Sequence, residues 1–453
     1  MLKLTANSVF GRGSKTQAVT VGGADHTGRD RSNALTLWFL DAVALIRVGD
    51  PHLFLRWHEA LDPRVKQRAA ELLAAGLSMP LLINDEPTAR GFEAAGMTRE
   101  HAWRYCVVGC NELGVPGLSA ESANSRAGSV QYLETLNRIL LQHPDPDAID
   151  GTGALMVLME EDLASRLRQA RRFYHDGQPR VSERAPVPFT SALMTGCIEA
   201  GGDMVDCMVY RIPCLYERGL TNAANALAAI DAVVFSKRDV TLGNLVRALR
   251  ADFGEDGASL QRALRQAPKW GNDDPAVDAY VGQLLALRER VLGMIDAEFG
   301  DPAHVVCHVV RSLHHFDGMR IGASPDGRRA GTPVADSIGA EVGTSFRGPT
   351  AVLSSVAKID ASRYYRGGTN LNITLPKTGT DAAVVLPLIA GFFQQNGQEL
   401  QINCLDAAEL RDAQKHPEKH GDLVVRFAGL SSRFVDLSGV EQDELIERAT
   451  AAG

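Results

Sequence analysis

Short apolar runs alternate with longer stretches of helical periodicity in the first part of the chain. The apolar runs, residues 53–57 and 79–83, are short enough to be buried strands. Residues 32–48 and 63–76 carry apolar side chains at helical spacing, and the second stretch opens on a proline and closes on a glycine. Residues 18–21 form a further short extended piece. Strands that alternate with helices favour a parallel sheet with helices on its faces, so the sequence predicts an α/β fold.

Long helical patterns dominate the middle of the chain. They cover residues 221–234, 241–253 and 275–299. After about residue 316 glycine, proline and serine become frequent, and the helical periodicity is lost. We therefore divide the chain into two domains, residues 1–320 and residues 321–453.

Charge and hydropathy exclude two kinds of partner. The formal net charge of −8 is spread along the chain without a basic cluster, so we expect no nucleic acid partner. No apolar run reaches the roughly 18 residues of a membrane-spanning helix, and the first residues lack a signal-peptide core. We expect a cytoplasmic protein that does not enter a membrane.

The cysteines indicate reduced thiols. There are seven of them, at positions 106, 110, 197, 207, 214, 307 and 404. The number is odd, and no two of them form a C-x-x-C pair. This argues against both a disulfide framework and a thiolate zinc site.

Cys110 and Glu112 are the first candidate pair for chemistry. They follow an apolar run at residues 103–109, which predicts a strand, and lie in a stretch whose glycines and proline predict a loop. In an extended backbone, residues two apart project to the same side, so the thiol and the carboxylate are expected to face one cavity. Sulfur beside a carboxylate suits one-electron or nucleophilic chemistry with acid/base assistance. The alternative is a packed thiol and a surface carboxylate, since free cysteines are usually packing residues.

Gly429 interrupts a strand-like run at residues 424–431. A glycine in a strand pattern normally marks a bulge or a close backbone approach. A second interpretation is radical storage, because a glycyl α-carbon radical is planar, lacks a Cβ and is delocalised over the flanking amide groups. Only glycine combines these properties with free choice of backbone angles.

Other residues are weaker candidates for a catalytic or metal site. His308, His314 and His315 lie near Cys307, but their spacing matches no known metal site, and we expect structural or polar-network roles for them. Cys106 shares a strand face with Cys110 at a distance of roughly 13 Å, taking about 3.3 Å per residue. It is not expected to be a direct redox partner.

Six stretches, in order along the chain, resemble the landmarks of the glycyl radical enzymes of the pyruvate formate-lyase-like superfamily. They are TVGG at residues 20–23, PLLINDE at 80–86, VGCNE at 108–112, PKWGNDD at 268–274, GASPDGR at 322–328 and RFAG at 426–429. Each stretch alone is a weak signal, whereas six in the same order are specific. They favour the radical interpretation of Cys110 and Gly429.

The resemblance implies a ten-stranded barrel of two parallel half-sheets surrounded by helices, with the cysteine and glycine loops meeting inside. Members of the family carry several hundred residues before the TVGG landmark, and here 19 residues precede it. Much of the first half-sheet is therefore expected to be missing. An exposed half-barrel edge invites aggregation, so we expect a homo-oligomer contact or a companion chain that supplies the missing N-terminal half.

The resemblance also implies the chemistry and its partners. The radical at Gly429 is installed by a separate radical S-adenosylmethionine activating enzyme that carries an iron-sulfur cluster, and the chain itself holds no bound cofactor and no metal. The glycyl radical takes a hydrogen atom from Cys110, and the thiyl takes one from a small organic substrate. Burial protects each intermediate from oxygen and stray hydrogen donors.

Departures from related enzymes indicate the subgroup. Pyruvate formate-lyase uses two adjacent cysteines, whereas Asn111 follows Cys110 here, and the paired C-x-x-C motifs of anaerobic ribonucleotide reductases are absent. The C-x-E pattern is similar to dehydratases, carbon-nitrogen or carbon-sulfur lyases and decarboxylases, in which Glu112 would handle a proton. Diol and choline lyases have Gly-Trp-His-Asp where this chain has ESAN at residues 121–124, so the expected substrate is not glycerol, propanediol or choline.

The predicted function is thus an anaerobic glycyl radical lyase with Gly429, Cys110 and Glu112 as its site. Three alternatives stay open at this point. The first is an enzyme like formate acetyltransferase. The second is a truncated or non-catalytic homologue that needs a partner chain. The third is a spare part that restores the glycine loop of a damaged enzyme, and the presence of the whole cysteine region argues against it.

Overall fold

The computed structural model describes residues 17–119, 126–308 and 313–452, apart from the side chains of residues 126, 127 and 178–180. Its strands are β1 (Ala18–Gly22), β2 (His52–Trp57), β3 (Leu81–Asn84), β4 (Cys106–Val108), β5 (Glu112–Gly114), β6 (Arg126–Gln131), β7 (Cys214–Arg218), β8 (Val305–His308), β9 (Asn372–Pro376), β10 (Glu399–Leu405), β11 (Val424–Phe427) and β12 (Leu430–Arg433). Its longer helices are α1 (Ala34–Ile46), α2 (Pro63–Ala74), α3 (Asp85–Ala94), α4 (Tyr132–Gln142), α5 (Thr152–Arg184), α6 (Leu220–Ile230), α7 (Leu242–Arg250), α8 (Ala258–Gln266), α9 (Pro275–Phe299), α10 (Leu313–Arg320), α11 (Gly348–Ala357), α12 (Ala382–Gln394), α13 (Ala407–Lys415) and α14 (Gly439–Ala452). Short helical turns lie at Arg99–Ala102, Pro188–Ser191, Cys197–Ala200, Met204–Cys207 and Ala361–Tyr364.

The first half-sheet consists of β1, β2 and β3, which are all parallel. Both β2 and β3 are buried along their whole length, which explains their continuous apolar sequences. The crossover helices α1 and α2 begin where the sequence offers caps. The side chain of Asn33 accepts a hydrogen bond from the Leu35 N–H, and Asp62 caps α2 just before Pro63. The strands and helices predicted in this part of the chain are confirmed.

We assign five strands to the second half-sheet. β6, β7 and β8 form a parallel three-stranded sheet, whereas β9 and β10 are parallel to each other and continue the sheet of β1, β2 and β3. Two backbone hydrogen bonds join these groups, from Gly367 N–H to Val306 O (2.9 Å) and from His308 N–H to Gly368 O (3.0 Å). These bonds link β8 to the segment that leads into β9, so they bring the two groups of strands together.

The two half-sheets meet antiparallel. Glu399 of β10 lies opposite Ile83 of β3, and Leu400 lies opposite Leu82. The side-chain amide of Asn84 closes this joint by donating to the carbonyl oxygens of Phe393 (3.0 Å) and Gly397 (2.8 Å). The parallel half-sheets surrounded by helices confirm the expected fold. The described residues supply three strands to the first half-sheet, where the resemblance implies five, and β1 is its edge.

The apolar interior has two parts. The larger cluster joins both half-sheets and the helices around them. The smaller one lies under α13 and α14 and includes Leu410, Phe427, Phe434 and Leu445. Phe427 belongs to β11, so the hairpin that carries Gly429 packs on the smaller cluster. No helix in the described ranges has both the length and the apolar character needed to cross a membrane.

The strand predicted at residues 103–109 is shorter than expected. A helical turn, Arg99–Ala102, precedes it and is capped by the Thr98 side chain, so extended structure begins only at Cys106. The chain then turns back and forms an antiparallel hairpin of β4 and β5. The thiol and the carboxylate lie at the tip of this hairpin.

Candidate active site

Cys110 occupies the turn between β4 and β5, formed by residues 109–111. The side chain of Glu112 folds back over this turn. Its Oε2 accepts the N–H of Cys110 at 3.0 Å and the N–H of Asn111 at 3.3 Å. The premise that an extended backbone aligns the two side chains was therefore wrong, because the backbone turns at Cys110. The two residues nevertheless lie together, and both are buried.

Gly429 lies at the tip of a second hairpin, in which Phe427 of β11 pairs with Leu430 of β12. Ala428, the other turn residue, has a left-handed φ of 51°. A Cβ added to Gly429 would lie 3.1 Å from Cys110 Cβ and 3.9 Å from Cys110 Sγ. The backbone approach is so close that only glycine fits without displacing its neighbour. The close approach expected for a glycine in a strand pattern is thus directed at the candidate thiol.

Polar contacts hold the Gly429 hairpin in place. The side-chain amide of Asn403 pairs with the main chain of Arg426, donating to its O (2.7 Å) and accepting from its N–H (2.9 Å). The Arg426 guanidinium donates to Gln401 Oε1 (2.7 Å) and to the carbonyl oxygen of Cys110 (3.3 Å). Arg426 therefore connects the two turns directly.

Both half-sheets contribute to this site. Gln401 and Asn403 belong to β10 of the second half-sheet. From β2 of the first half-sheet, His52 Nε2 accepts the N–H of Ser431 at 3.1 Å. Burial lowers the pKa of His52 well below its usual range, and the charge of Arg426 lowers it further. A neutral imidazole suits this acceptor role.

Burial is the largest cause of the pKa shifts at the site. Burial lowers the pKa of Arg426 to about 9, against the opposing effect of Cys110 and Glu399, so the guanidinium remains cationic at neutral pH. Burial also raises the pKa of Glu399 well above its usual range, and the charge of Glu112 adds to the effect. The same two causes raise the pKa of the Cys307 thiol. The cation of Arg426 thus lies beside groups that burial favours in neutral form.

Asn111 anchors the cysteine turn to the second half-sheet. Its side-chain amide donates to the carbonyl oxygens of His308 (3.2 Å) and Thr369 (2.8 Å). It is fully buried. The position after Cys110 is thus occupied by a structural anchor.

The histidines separate into two places. His308 ends β8 next to the cysteine turn, and burial lowers its pKa to about 4. His314 and His315 lie on α10, with Nε2 atoms 2.9 and 2.7 Å from Glu444 Oε2. These three residues place ligand atoms within 4.8 Å of one another, as a metal site would. Because Glu444 also pairs with Arg448, we interpret the group as a polar network that ties α10 to α14.

The remaining candidates from the sequence lie either away from the two turns or outside the residues that the structure describes. Cys106 pairs with Gly114 at the open end of the hairpin, far from the tip that carries Cys110. All seven cysteines lie in the described ranges, and none forms a disulfide. The ESAN stretch at residues 121–124 lies outside the described residues. Sequence reasoning missed Asn370, Gln401 and Asn403, which are buried polar residues in or near strands and belong to no motif we had singled out.

A barrel-like α/β fold in which a cysteine turn meets a glycine turn defines a class of radical enzymes, and family models match this chain accordingly. The model described as pyruvate formate lyase-like matches residues 3–293, and the model described as glycine radical matches residues 334–435. The chain belongs to the pyruvate formate lyase-like family of glycyl radical enzymes.

The relatives match this chain over nearly its whole length. The (2S)-3-sulfopropanediol dehydratase of Klebsiella oxytoca is 28% identical, over 97% of this chain and 55% of its own length. The isethionate sulfite-lyase of Nitratidesulfovibrio vulgaris is 29% identical, over 95% of this chain and 54% of its own length. The glycerol-bound B12-independent glycerol dehydratase of Clostridium butyricum superposes with a TM-score of 0.87 at 27% identity, covering 95% of this chain and 56% of that one. The chain thus spans about half the length of the curated relatives it matches.

Proposed function

We propose that this protein is an anaerobic glycyl radical lyase that acts on a small organic substrate. Gly429 stores the radical, Cys110 abstracts hydrogen from the substrate, and Glu112 is the acid/base. The observation that carries the proposal is the meeting of two hairpin tips, where the α-carbon of Gly429 faces the side chain of Cys110.

The proposed reaction moves one hydrogen atom at a time. In the activated protein the α-carbon of Gly429 lacks one hydrogen atom and takes that of the Cys110 thiol. The Cys110 sulfur then takes a hydrogen atom from a substrate carbon and becomes a thiol again. The substrate radical expels a leaving group while Glu112 accepts or returns a proton, and the product radical recovers its hydrogen atom from Cys110. The Cys110 sulfur, again lacking its hydrogen atom, then takes one from the α-carbon of Gly429 and so restores the stored radical. Each hydrogen atom taken is returned, so the reaction consumes no oxidant or reductant.

The site favours this reaction over acyl transfer. An enzyme like formate acetyltransferase would need a second thiol next to Cys110, and Asn111 is there instead, bound by its amide to two carbonyl oxygens. The relatives' names describe dehydratases and sulfite-lyases and also include a decarboxylase. We therefore propose a substrate that loses a small leaving group after hydrogen abstraction.

Two partners belong to the proposal. The first is a radical S-adenosylmethionine activating enzyme that removes the hydrogen atom from Gly429. The second is a polypeptide segment that completes the first half-sheet beside β1, of the kind that makes up the remaining length of the relatives. The apolar side chains that α1 exposes support the second partner: Leu35 is 56% exposed, Trp38 65% and Leu45 84%. The cysteines of the described residues form no disulfide, as in a reducing compartment, and we place the protein in the cytoplasm.

Electron paramagnetic resonance under strict anaerobiosis tests the proposal. The protein is incubated with the activating enzyme encoded nearest to its gene, S-adenosylmethionine and a reductant. We expect a doublet organic radical that is absent in Gly429→Ala, and cleavage of the chain near Gly429 on exposure to air. Cys110→Ser should still accept the radical but lose turnover.

Two outcomes would contradict the proposal. A radical that persists in Gly429→Ala would exclude Gly429 as its location. The absence of any radical, under conditions that activate a full-length relative, would favour a non-catalytic homologue.

A further inference from the structure

One four-residue segment, residues 367–370, contacts both turns of the site. Its Gly367 carbonyl accepts the N–H of Leu113 at 3.1 Å, and its Thr369 carbonyl accepts the side-chain amide of Asn111 at 2.8 Å. Its last residue, Asn370, reaches the other way. Asn370 Nδ2 donates to the carbonyl oxygen of Ala428 at 2.7 Å. The cysteine turn and the glycine turn are therefore fastened to the same segment.

The orientation of the Asn370 side chain is fixed by its surroundings. Asn370 is 0% exposed, and its own carbonyl accepts the N–H of Ile338 at 2.9 Å. Its Nδ2 lies 2.7 Å from Ala428 O and 3.5 Å from Asp336 O. A rotated amide would place Oδ1 against these two carbonyl oxygens and lose both contacts. Asn370 is thus held as a donor to the glycine turn.

The carbonyl that Asn370 contacts is bonded directly to the nitrogen of Gly429. Ala428 C=O and Gly429 N–H belong to one peptide group, whose nitrogen lone pair is shared with the carbonyl by resonance. A radical on the α-carbon of Gly429 delocalises onto the same nitrogen. A hydrogen bond to the carbonyl oxygen draws the lone pair toward that oxygen, which leaves more spin on the α-carbon. The same bond also fixes where the turn lies relative to Cys110.

We propose that Asn370 is a positioning residue that sets both the hydrogen-transfer distance between Gly429 and Cys110 and the spin distribution of the stored radical. The inference rests on the proposed function. It assigns to Asn370 no contact with substrate. The role follows from two contacts of residues 367–370. Asn370 donates a hydrogen bond to the glycine turn, and Thr369 of the same segment anchors the cysteine turn.

The test follows exchange of the Gly429 α-hydrogen in the activated full chain, without substrate. In D2O the Cys110 thiol carries deuterium, so reversible transfer between the two residues replaces the α-hydrogen and collapses the doublet to a singlet. Wild-type protein should show this collapse, and Cys110→Ala should not. The variant is Asn370→Ala, and Asn370→Asp keeps the shape while replacing the amide donor. Asn372→Ala is the matched control, because Asn372 loses a 2.7 Å hydrogen bond to Asp336 Oδ2 instead.

Asn370→Ala should slow the collapse by about tenfold to a hundredfold, as small misplacements of reacting groups do. It should also reduce the doublet splitting in H2O, since spin moves from the α-carbon to the nitrogen. Asn372→Ala should show wild-type values for both. A merely structural role would lower the melting temperature or radical yield and leave the splitting unchanged.

The outcomes separate the inference from the function on which it rests. The role of Asn370 is refuted, while the proposed function stands, under one set of results. In that case the doublet collapses in wild-type protein but not in Cys110→Ala, and both Asn370 variants match the wild type in exchange rate and doublet splitting. If wild-type protein forms no radical, or the doublet of Cys110→Ala collapses as fast as that of the wild type, the proposed function fails and the role of Asn370 fails with it.

Discussion

The carboxylate of Glu112 serves the backbone as well as the proposed chemistry. Its Oε2 accepts two N–H groups of the turn that carries Cys110, so removing the side chain would disturb the turn and the proton transfer together. A glutamine keeps a carbonyl oxygen for those N–H groups and removes the ability to exchange a proton. The two roles can therefore be separated by one substitution.

Glu112→Gln should retain the radical and lose turnover. We expect radical yield and α-hydrogen exchange within about twofold of wild type, because the turn is kept. Turnover of a substrate should fall by about 10²- to 10⁴-fold, the usual contribution of a positioned acid/base. Spin quantification and a turnover assay on one preparation measure both quantities. Equal loss of exchange and turnover would mean that Glu112 acts through the turn alone.

His308 makes the fold sensitive to acid. Its folded pKa is about 4, against about 6.5 for a free histidine, because burial disfavours the charged ring. Between these values the unfolded state binds more protons, so stability is lost as the pH falls from 6.5 toward 4. At pH 5 the loss relative to pH 7 is about 2 kcal/mol of unfolding free energy for this residue.

His308→Gln should remove that part of the acid sensitivity. Urea denaturation at pH 7 and pH 5 measures the change in unfolding free energy between the two pH values. His416→Gln is the control, since His416 is exposed on the surface. An equal loss between pH 7 and pH 5 in wild type and His308→Gln would show that His308 carries its proton more readily than its burial suggests.

Single residues of the site were predictable to different degrees. Cys110, Glu112 and Gly429 stand in recognisable motifs, and the structure brings them together, although the extended-strand argument for Glu112 failed because the chain turns there. No feature of the sequence pointed to Asn370. The sequence does not distinguish a buried asparagine in a glycine-rich stretch from an exposed one. The role of Asn370 depends on a carbonyl that only the folded chain places beside it.

At the scale of elements, α14 is held by a buried charge cluster. Arg448 pairs with Asp336 Oδ2 at 2.8 Å and also contacts Glu444. Asp336 in turn accepts the side-chain amide of Asn372 at the start of β9. These side chains are almost fully enclosed, so the ions depend on one another for solvation. The cluster connects the last helix to the segment beside the glycine hairpin.

Arg448→Met should destabilise the protein by about 3–5 kcal/mol, because Asp336 and Glu444 would remain buried without their cation. Arg433→Met is the control, since the Arg433–Asp436 pair is about half exposed on both sides and should contribute less than about 1 kcal/mol. Urea denaturation at pH 7 compares the two. Similar losses in both variants would mean that water or another cation compensates the cluster.

Elements themselves were largely predictable where local signals exist. A proline marked the start of α2, and unbroken apolar runs marked β2 and β3. The antiparallel joint between β3 and β10 was not predicted, since nothing in the sequence of either strand indicates its partner or its direction. Pairing depends on contacts between distant segments, which apolar periodicity does not encode.

The edge at β1 is where we expect the protein to associate. Without the proposed partner segment, the chain alone should self-associate through β1 and the apolar side chains of α1. Trp38→Glu with Leu45→Glu should shift it toward monomer in analytical ultracentrifugation, with little change in melting temperature. Phe189→Glu removes an equally exposed apolar side chain elsewhere and should leave association unchanged. A wild-type chain that sediments as a stable monomer would refute this expectation.

The hairpin that carries Gly429 follows every barrel strand in chain order, and this has a consequence for biosynthesis. A ribosome adds about 5–20 residues per second, so the cysteine turn leaves it tens of seconds before Gly429 does. During that interval the nascent chain carries the Cys110 thiol but not Gly429, the residue on which the proposed function depends. A translation product that stops anywhere short of the hairpin therefore lacks the proposed radical site, and only a chain read to that point can be activated in the way we propose.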